Sequence, residues 1–197
     1  SGLTAKKSLD DEEGNGKIGW TVAVEDQVQP KVGGEGYLGW AEKKKRIVVT
    51  LGNDAVVFDP ASEEVARWVI KDGTPNALEI GPDSRIYMTF GDKVVTYNLD
   101  GFRYGTVIDE KILGSGFEDV DLSFDERGVL WALTDAGWVF KFKKPGKLDW
   151  SVRISDHELI HPRFAVFQGN VLVTDRDRIL PIDAAQLHAD ELAAKAD

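Results

Sequence analysis

Three sets of polar residues have types and positions suited to chemistry. Glu35, Asn76, Asp119 and Arg163 each stand just ahead of a short apolar run. Glu, Asn and Asp supply hard oxygen donors, which suit Ca²⁺ or Mg²⁺ better than a soft metal, so a divalent cation such as Ca²⁺ is the candidate cofactor. A purely structural use, capping strand ends and binding water, accounts for the same four residues. Asp54, Asp92, Asp135 and Asp177 lie in tight turns between apolar runs and predict an acidic rim on which a ligand would sit. Turns also favour Asp for conformational reasons alone. His157 and His161 flank Glu158 and offer ligands or a proton-transfer pair. Four-residue spacing aligns two His only on a helix, and Pro162 argues against a helix there. A surface loop is the plainer expectation, with His188 exposed in the tail. Ser115 between Gly114 and Gly116 lacks the Gly-x-Ser-x-Gly setting of an activated nucleophile, and its loop lacks the Lys of a phosphate-binding loop.

The elements that would position these residues come from an internal repeat. Residues 46–59, 85–98, 129–142 and 170–183 share one plan of strand, tight turn, strand. Ile47, Ile86, Leu130 and Val171 align at spacings of 39, 44 and 41 residues. That is the period expected of a four-stranded blade. β-Branched and aromatic residues fill the runs, and Gly52-Asn53-Asp54, Gly91-Asp92, Asp135-Ala136-Gly137 and Arg176-Asp177-Arg178 make the turns. An inner strand precedes each hairpin, at 37–41, 76–80, 120–124 and 164–167. An outer strand follows three of them, at 67–70, more weakly at 105–108, and at 150–154. The fourth outer strand is supplied by residues 20–26, whose Trp20-Thr-Val-Ala-Val-Glu-Asp26 pattern matches Trp150-Ser-Val-Arg-Ile-Ser-Asp156.

The expected fold class is therefore all-β: a β-propeller of four four-stranded antiparallel blades, with the N-terminal strand closing the last blade and a short C-terminal helix capped by Asp183. Residues 1–16 form a flexible leader, 17–183 the propeller and 184–197 a helical tail. Two chains making one eight-bladed ring is the rival arrangement. In either case, residues that open the inner strands converge on one mouth of a central channel. Trp20, Trp68 and Trp150 fall at equivalent strand positions and are expected to pack between blades.

Gly146-Lys147-Leu148-Asp149-Trp150 resembles the Gly-Lys-x-x-Trp segment of pyrroloquinoline-quinone-like propeller repeats, with 62–68 a looser version. No residue marks a quinone site. Glu35-Gly36, the Pro75-Asn76-Ala77-Leu78 run before Gly81-Pro82-Asp83-Ser84, and Asp119 ahead of 124–131 are similar to the gluconolactonase and senescence-marker propellers. That second resemblance implies a metal held by Glu35, Asn76 and Asp119 and a lactonase-like hydrolysis. Tyr37 and Ala77 stand where that family often has Pro and Gly.

The chain of 197 residues carries a net charge of −10, which repels nucleic acid and anionic membranes. The basic run Lys43-Lys44-Lys45-Arg46 reads as a solvated turn. Absence of Cys excludes disulfides and thiolate sites. Apolar runs of five or six residues are far short of the roughly 20 that span a bilayer, so no membrane insertion is expected. Because no strong catalytic constellation stands out, the expectation is a non-enzymatic binding or scaffold module. It would take a protein or small-molecule ligand on one ring face, as a monomer or homodimer. The sequence leaves the compartment undetermined, with periplasmic or secreted the favoured choice and a removed N-terminal segment one route to a tether.

Overall fold

A computed structural model describes residues 3–8, 19–24, 36–61, 63–114, 119–160, 162–176 and 178–195. Two strands, β1 (Leu3–Ser8) and β2 (Gly19–Val24), precede the repeats. Blade 1 is β3 (Gly36–Ala41), β4 (Arg46–Leu51), β5 (Asp54–Phe58) and β6 (Glu64–Val69). Blade 2 is β7 (Ala77–Ile80), β8 (Ile86–Phe90), β9 (Lys93–Tyr97) and β10 (Arg103–Ile108). A single turn, α1 (Glu110–Leu113), leads to blade 3: β11 (Val120–Phe124), β12 (Leu130–Thr134), β13 (Trp138–Lys144) and β14 (Lys147–Arg153). Blade 4 is β15 (Arg163–Phe167), β16 (Asn170–Asp175) and β17 (Arg178–Asp183), followed by α2 (Ala184–Ala194). Every blade is an antiparallel meander in sequence order. The fold is the four-bladed propeller that the repeat predicts.

One expected feature differs. The strand assigned to complete blade 4 pairs instead with β1, in register from Leu3 opposite Val24 to Ser8 opposite Gly19. Blade 4 is three-stranded among the described residues. Loop closure favours this outcome: a hairpin across a short connection costs about 2 kcal/mol less than recruiting a partner some 150 residues away. The match between 20–26 and 150–156 was a match of strand pattern, and pattern does not specify a partner.

Repeated local devices explain why the strands turn where they do. Asp59, Asn98 and Asp125 each accept two backbone N–H bonds with Oδ1, from residues two and four further on. Their short side chains replace water at the tight turns and fix the strand register. Asp183 caps α2 by accepting from the Gln186 N–H at 2.9 Å, as expected.

Apolar residues pack as three separate layers between successive blades. Val48, Val57, Ile86 and Met88 lie between blades 1 and 2; Tyr87, Val94, Leu122 and Leu130 between 2 and 3; Trp131, Leu133, Val171 and Val173 between 3 and 4. Val48, Tyr87 and Trp131 are equivalent in the repeat. Growth of that side chain from Val to Trp shows each junction packed with its own complement of volume. Gly39 lets the inner strand of blade 1 approach blade 2, since a Cβ there would meet Leu78 and Ile80 at 2.6 Å. Trp68 stacks on Tyr97 at a centroid distance of 5.1 Å and Trp150 packs in the third layer, both as expected. Trp20 falls among residues whose side chains are not described. His188, expected in solvent, lies 4.6 Å from Trp150 with the rings stacked, because α2 folds back onto β14.

Candidate functional site

Inner strands start and hairpin turns project at the same end of the blades, and there the loops enclose a cavity of about 360 Å³. Its walls come from three blades: Asn76 ahead of β7, Asp119 ahead of β11, Asp135 in the turn after β12, and Glu158, Leu159, Ile160 and Pro162 in the segment entering β15. The strand pattern explains the convergence. Each inner strand runs from this mouth, so the residue just before it is delivered to the channel rim.

Asp119 and Asp135 meet through the backbone, with the Asp135 N–H donating to the Asp119 carbonyl at 3.2 Å. The Leu159 N–H donates to the Asp135 carbonyl at 2.7 Å, which ties the segment entering blade 4 to blade 3. Asp135 is buried, unlike Asp54 and Asp92, which are exposed. The expected equivalence of the rim fails because these residues occupy successive positions of the turn. Aligned on the strands, Asp135 matches Gly52 and Gly91, one residue before Asp92 and two before Asp54. Of the described rim carboxylates, Asp135 lines the cavity. Asp177 lies outside the described residues.

Of the three residues implied as metal ligands, Asn76 and Asp119 line the same cavity and Glu35 lies outside the described residues. Asn76 Oδ1 accepts the Gly91 N–H at 2.7 Å, and Asp119 Oδ1 accepts the Val120 N–H at 3.0 Å. Among the described residues no three His, Cys, Asp or Glu side chains are grouped to hold a metal.

Two carboxylates that the sequence reading missed lie further inside. Glu79 is three residues along β7 from Asn76, and Asp121 is two along β11 from Asp119. At 3.3 Å per residue these are depths of roughly 10 and 7 Å. Burial, reinforced by the nearby Asp121 charge, pushes the Glu79 carboxyl up to about 7. Burial likewise raises Asp121 to about 6, against the opposing pull of the Arg163 guanidinium. Asp121 Oδ2 accepts the Phe164 N–H at 3.1 Å and so joins blade 3 to blade 4. Alternation along the strands, apolar toward the preceding blade and polar toward the next, is the signal that could have found both residues. Arg163, expected on the ring face, is placed by its charge beside Asp121.

His157 leaves the cavity lining to Glu158 and is 69% exposed, with Nε2 3.4 Å from Asp175 Oδ2 and Nδ1 3.1 Å from Ser155 Oγ. The order Ser, His, Asp is that of a nucleophile relay. However, Ser155 Oγ donates to the His157 carbonyl at 2.8 Å and accepts the His157 N–H at 3.2 Å, so the hydroxyl closes a local turn. Asp175 Oδ1 accepts the Ile160 N–H at 3.0 Å, which holds the cavity wall. His161 lies outside the described residues.

At the opposite end, a wider groove of about 590 Å³ runs between blades 1 and 2 past Lys44, Arg46, Arg85 and Tyr104. The basic run read as a solvated turn contributes two of these residues. Arg85 is paired within the groove: it lies 3.3 Å from Asp83 and its guanidinium sits 4.4 Å above the Tyr104 ring.

The class defined by this fold is the β-propeller, and solved structures agree. The β-propeller domain of Myceliophteria thermophila Cps50 (Swd1) aligns with a TM-score of 0.56 at 14% identity, over 74% of this chain and 50% of that one. Streptogramin B lyase aligns at 0.59 and 13%, over 79% and 53%. Citrobacter koseri AztD aligns at 0.52 and 15%, over 77% and 44%. At these identities the likeness is one of fold, and the chain spans about half the length of the structures it matches. No family model matches the chain, and no curated protein matches it.

Proposed function

We propose that this propeller is a binding module whose channel mouth takes a positively charged group, either a basic side chain of a partner protein or a small cationic ligand. The observation that carries the reading is the cavity itself. Asp119, Asp135 and Glu158 converge on about 360 Å³ beside an apolar wall of Leu159, Ile160 and Pro162. Convergent polar groups on an apolar wall are the usual make-up of a small-ligand site. Burial of Asp135 strengthens any ion pair that it forms, because solvent screens it less. Asp121, ionised above about 6, extends the negative potential inward, and the net charge of −10 steers cations toward the molecule.

Fluorescence anisotropy with a labelled Lys/Arg-rich peptide tests the reading. Asp135→Asn and Glu158→Gln are each expected to weaken binding at least tenfold, about 1.4 kcal/mol. An acidic peptide of the same length should not bind. Equal affinity of the wild type and both variants overturns the reading.

A second reading is a metal-dependent lactonase-like hydrolase, with a divalent cation such as Ca²⁺ near Asn76, Asp119 and Glu35. Glu79 favours it, since a half-buried carboxyl near 7 beside such a site can both take and give a proton at neutral pH. Calorimetric titration with Ca²⁺ separates the two. Saturable binding lost in Asp119→Ala supports the hydrolase, and no binding heat dismisses it.

A further inference from the structure

Each internal blade junction uses the same repeat positions, and the two terminal blades leave those positions open. Val48, Tyr87 and Trp131 follow the first residue of the aligned hairpin and are buried against the next blade, at 0%, 2% and 1% exposure. Leu172, their equivalent in blade 4, is 47% exposed. In the other direction, Leu78 and Leu122 are buried against the preceding blade at 8% and 2%, whereas Leu38, their equivalent in blade 1, is 67% exposed. Cross-strand register places Leu38, Val49 and Val56 on one face of blade 1, where Leu38 is open, Val49 half-buried and Val56 buried in a cluster with Phe58, and Ala165, Leu172 and Pro181 on one face of blade 4. Phe167 and Ile179 lie on that same face of blade 4, and both are largely exposed.

The inner strands of blades 1 and 2, 2 and 3, and 3 and 4 lie side by side, whereas no such packing joins those of blades 4 and 1 among the described residues. Nor does any apolar cluster join blade 4 to blade 1 among the described residues. Among the described residues the four blades therefore form an open arc. Its two ends are complementary in kind, because the open face of blade 4 is the kind of face that covers the next blade and the open face of blade 1 is the kind that receives it.

We propose that a second copy of this chain closes the arc, blade 4 of each copy packing on blade 1 of the other, in a twofold ring of eight blades. Two observations favour this occupant. The chain carries both halves of the missing junction, so a head-to-tail contact that closes after one repetition covers all four open faces. The aligned part of the chain covers 50%, 53% and 44% of the propellers that it overlays, as an arc of about half a ring requires. Closure also completes the wall of the channel whose mouth blades 2 to 4 line.

Size-exclusion chromatography with light scattering on the full chain is expected to show a particle of twice the chain mass. Leu172→Glu and Leu38→Glu each change a side chain that is exposed in the single chain, so circular dichroism is expected to stay unchanged while the dimer is lost. Mixing the two variants is expected to restore a dimer, since one of its two junctions is then wholly wild type. A wild-type monomer at all concentrations overturns the proposal, as does an open-ended polymer. A dimer that only one of the two substitutions dissolves also overturns it, because that pattern belongs to a face-to-face contact.

Discussion

Replacing Glu79 by Gln is expected to stabilise the protein at pH 8 and to leave it unchanged near pH 4.5. The Glu79 carboxyl ionises near 7 in the folded chain, against an ordinary value of 4.5. The folded state therefore holds a proton that the unfolded state has lost between those two values, and stability falls as pH rises through that window. At 1.36 kcal/mol per pKa unit the full difference is about 3 kcal/mol. Glu79 keeps part of its surface in solvent, which reduces the figure to about 2. Asp121, raised from 3.8 to about 6, carries the same sign over a slightly lower range. Asp72, lowered to about 2, acts only below its ordinary value of 3.8 and does not enter the window. Urea unfolding followed by fluorescence of the six Trp, at pH 4.5, 6 and 8, reads the effect directly. The wild type should lose stability across the series, and Glu79→Gln should remove somewhat more than half of the loss, Asp121 carrying the rest. A substitution effect of the same size at all three pH values, or one that destabilises at pH 8, refutes the assignment of a buried ionising carboxyl in the channel.

Gly39→Val should destabilise by about 1–3 kcal/mol, because its side chain must displace Leu78 and Ile80 at the first blade junction; chemical denaturation measures it. Asp72→Asn should cost about 1–3 kcal/mol at pH 7, since Asp72 accepts from the Arg103 guanidinium and the Tyr97 hydroxyl and lies 3.5 Å from Lys93 Nζ. The loss should vanish as pH falls through about 2, where the wild-type carboxylate is itself protonated. Asp183→Ala should remove about 0.5–2 kcal/mol of helix capping and change Trp150 fluorescence as His188 leaves its ring.

Fold and site were not equally legible in the sequence. The 39-, 44- and 41-residue spacing of Ile47, Ile86, Leu130 and Val171 gave the blades, because strand period and turn residues are local properties. Pairing between distant strands is not local, so the pattern of residues 20–26 points to blade 4 although β2 pairs with β1. The channel mouth was half legible. Asn76, Asp119 and Asp135 were identified by their place ahead of or after strands. Glu79 and Asp121 sit inside strands, where a charged residue reads as solvent-facing until the neighbouring blade is known to cover it. His188 reads as solvent-facing for the same reason: nothing local tells which face of the tail helix meets Trp150.

If the acidic channel mouth is where this propeller binds, a cationic partner must perturb it. Amide chemical-shift mapping on ¹⁵N-labelled protein titrated with a Lys/Arg-rich peptide tests it most directly. Shifts are expected at Asn76, Asp119, Asp135 and the 158–160 segment. Shifts confined to the opposite groove, at Arg85 and Tyr104, contradict the claim.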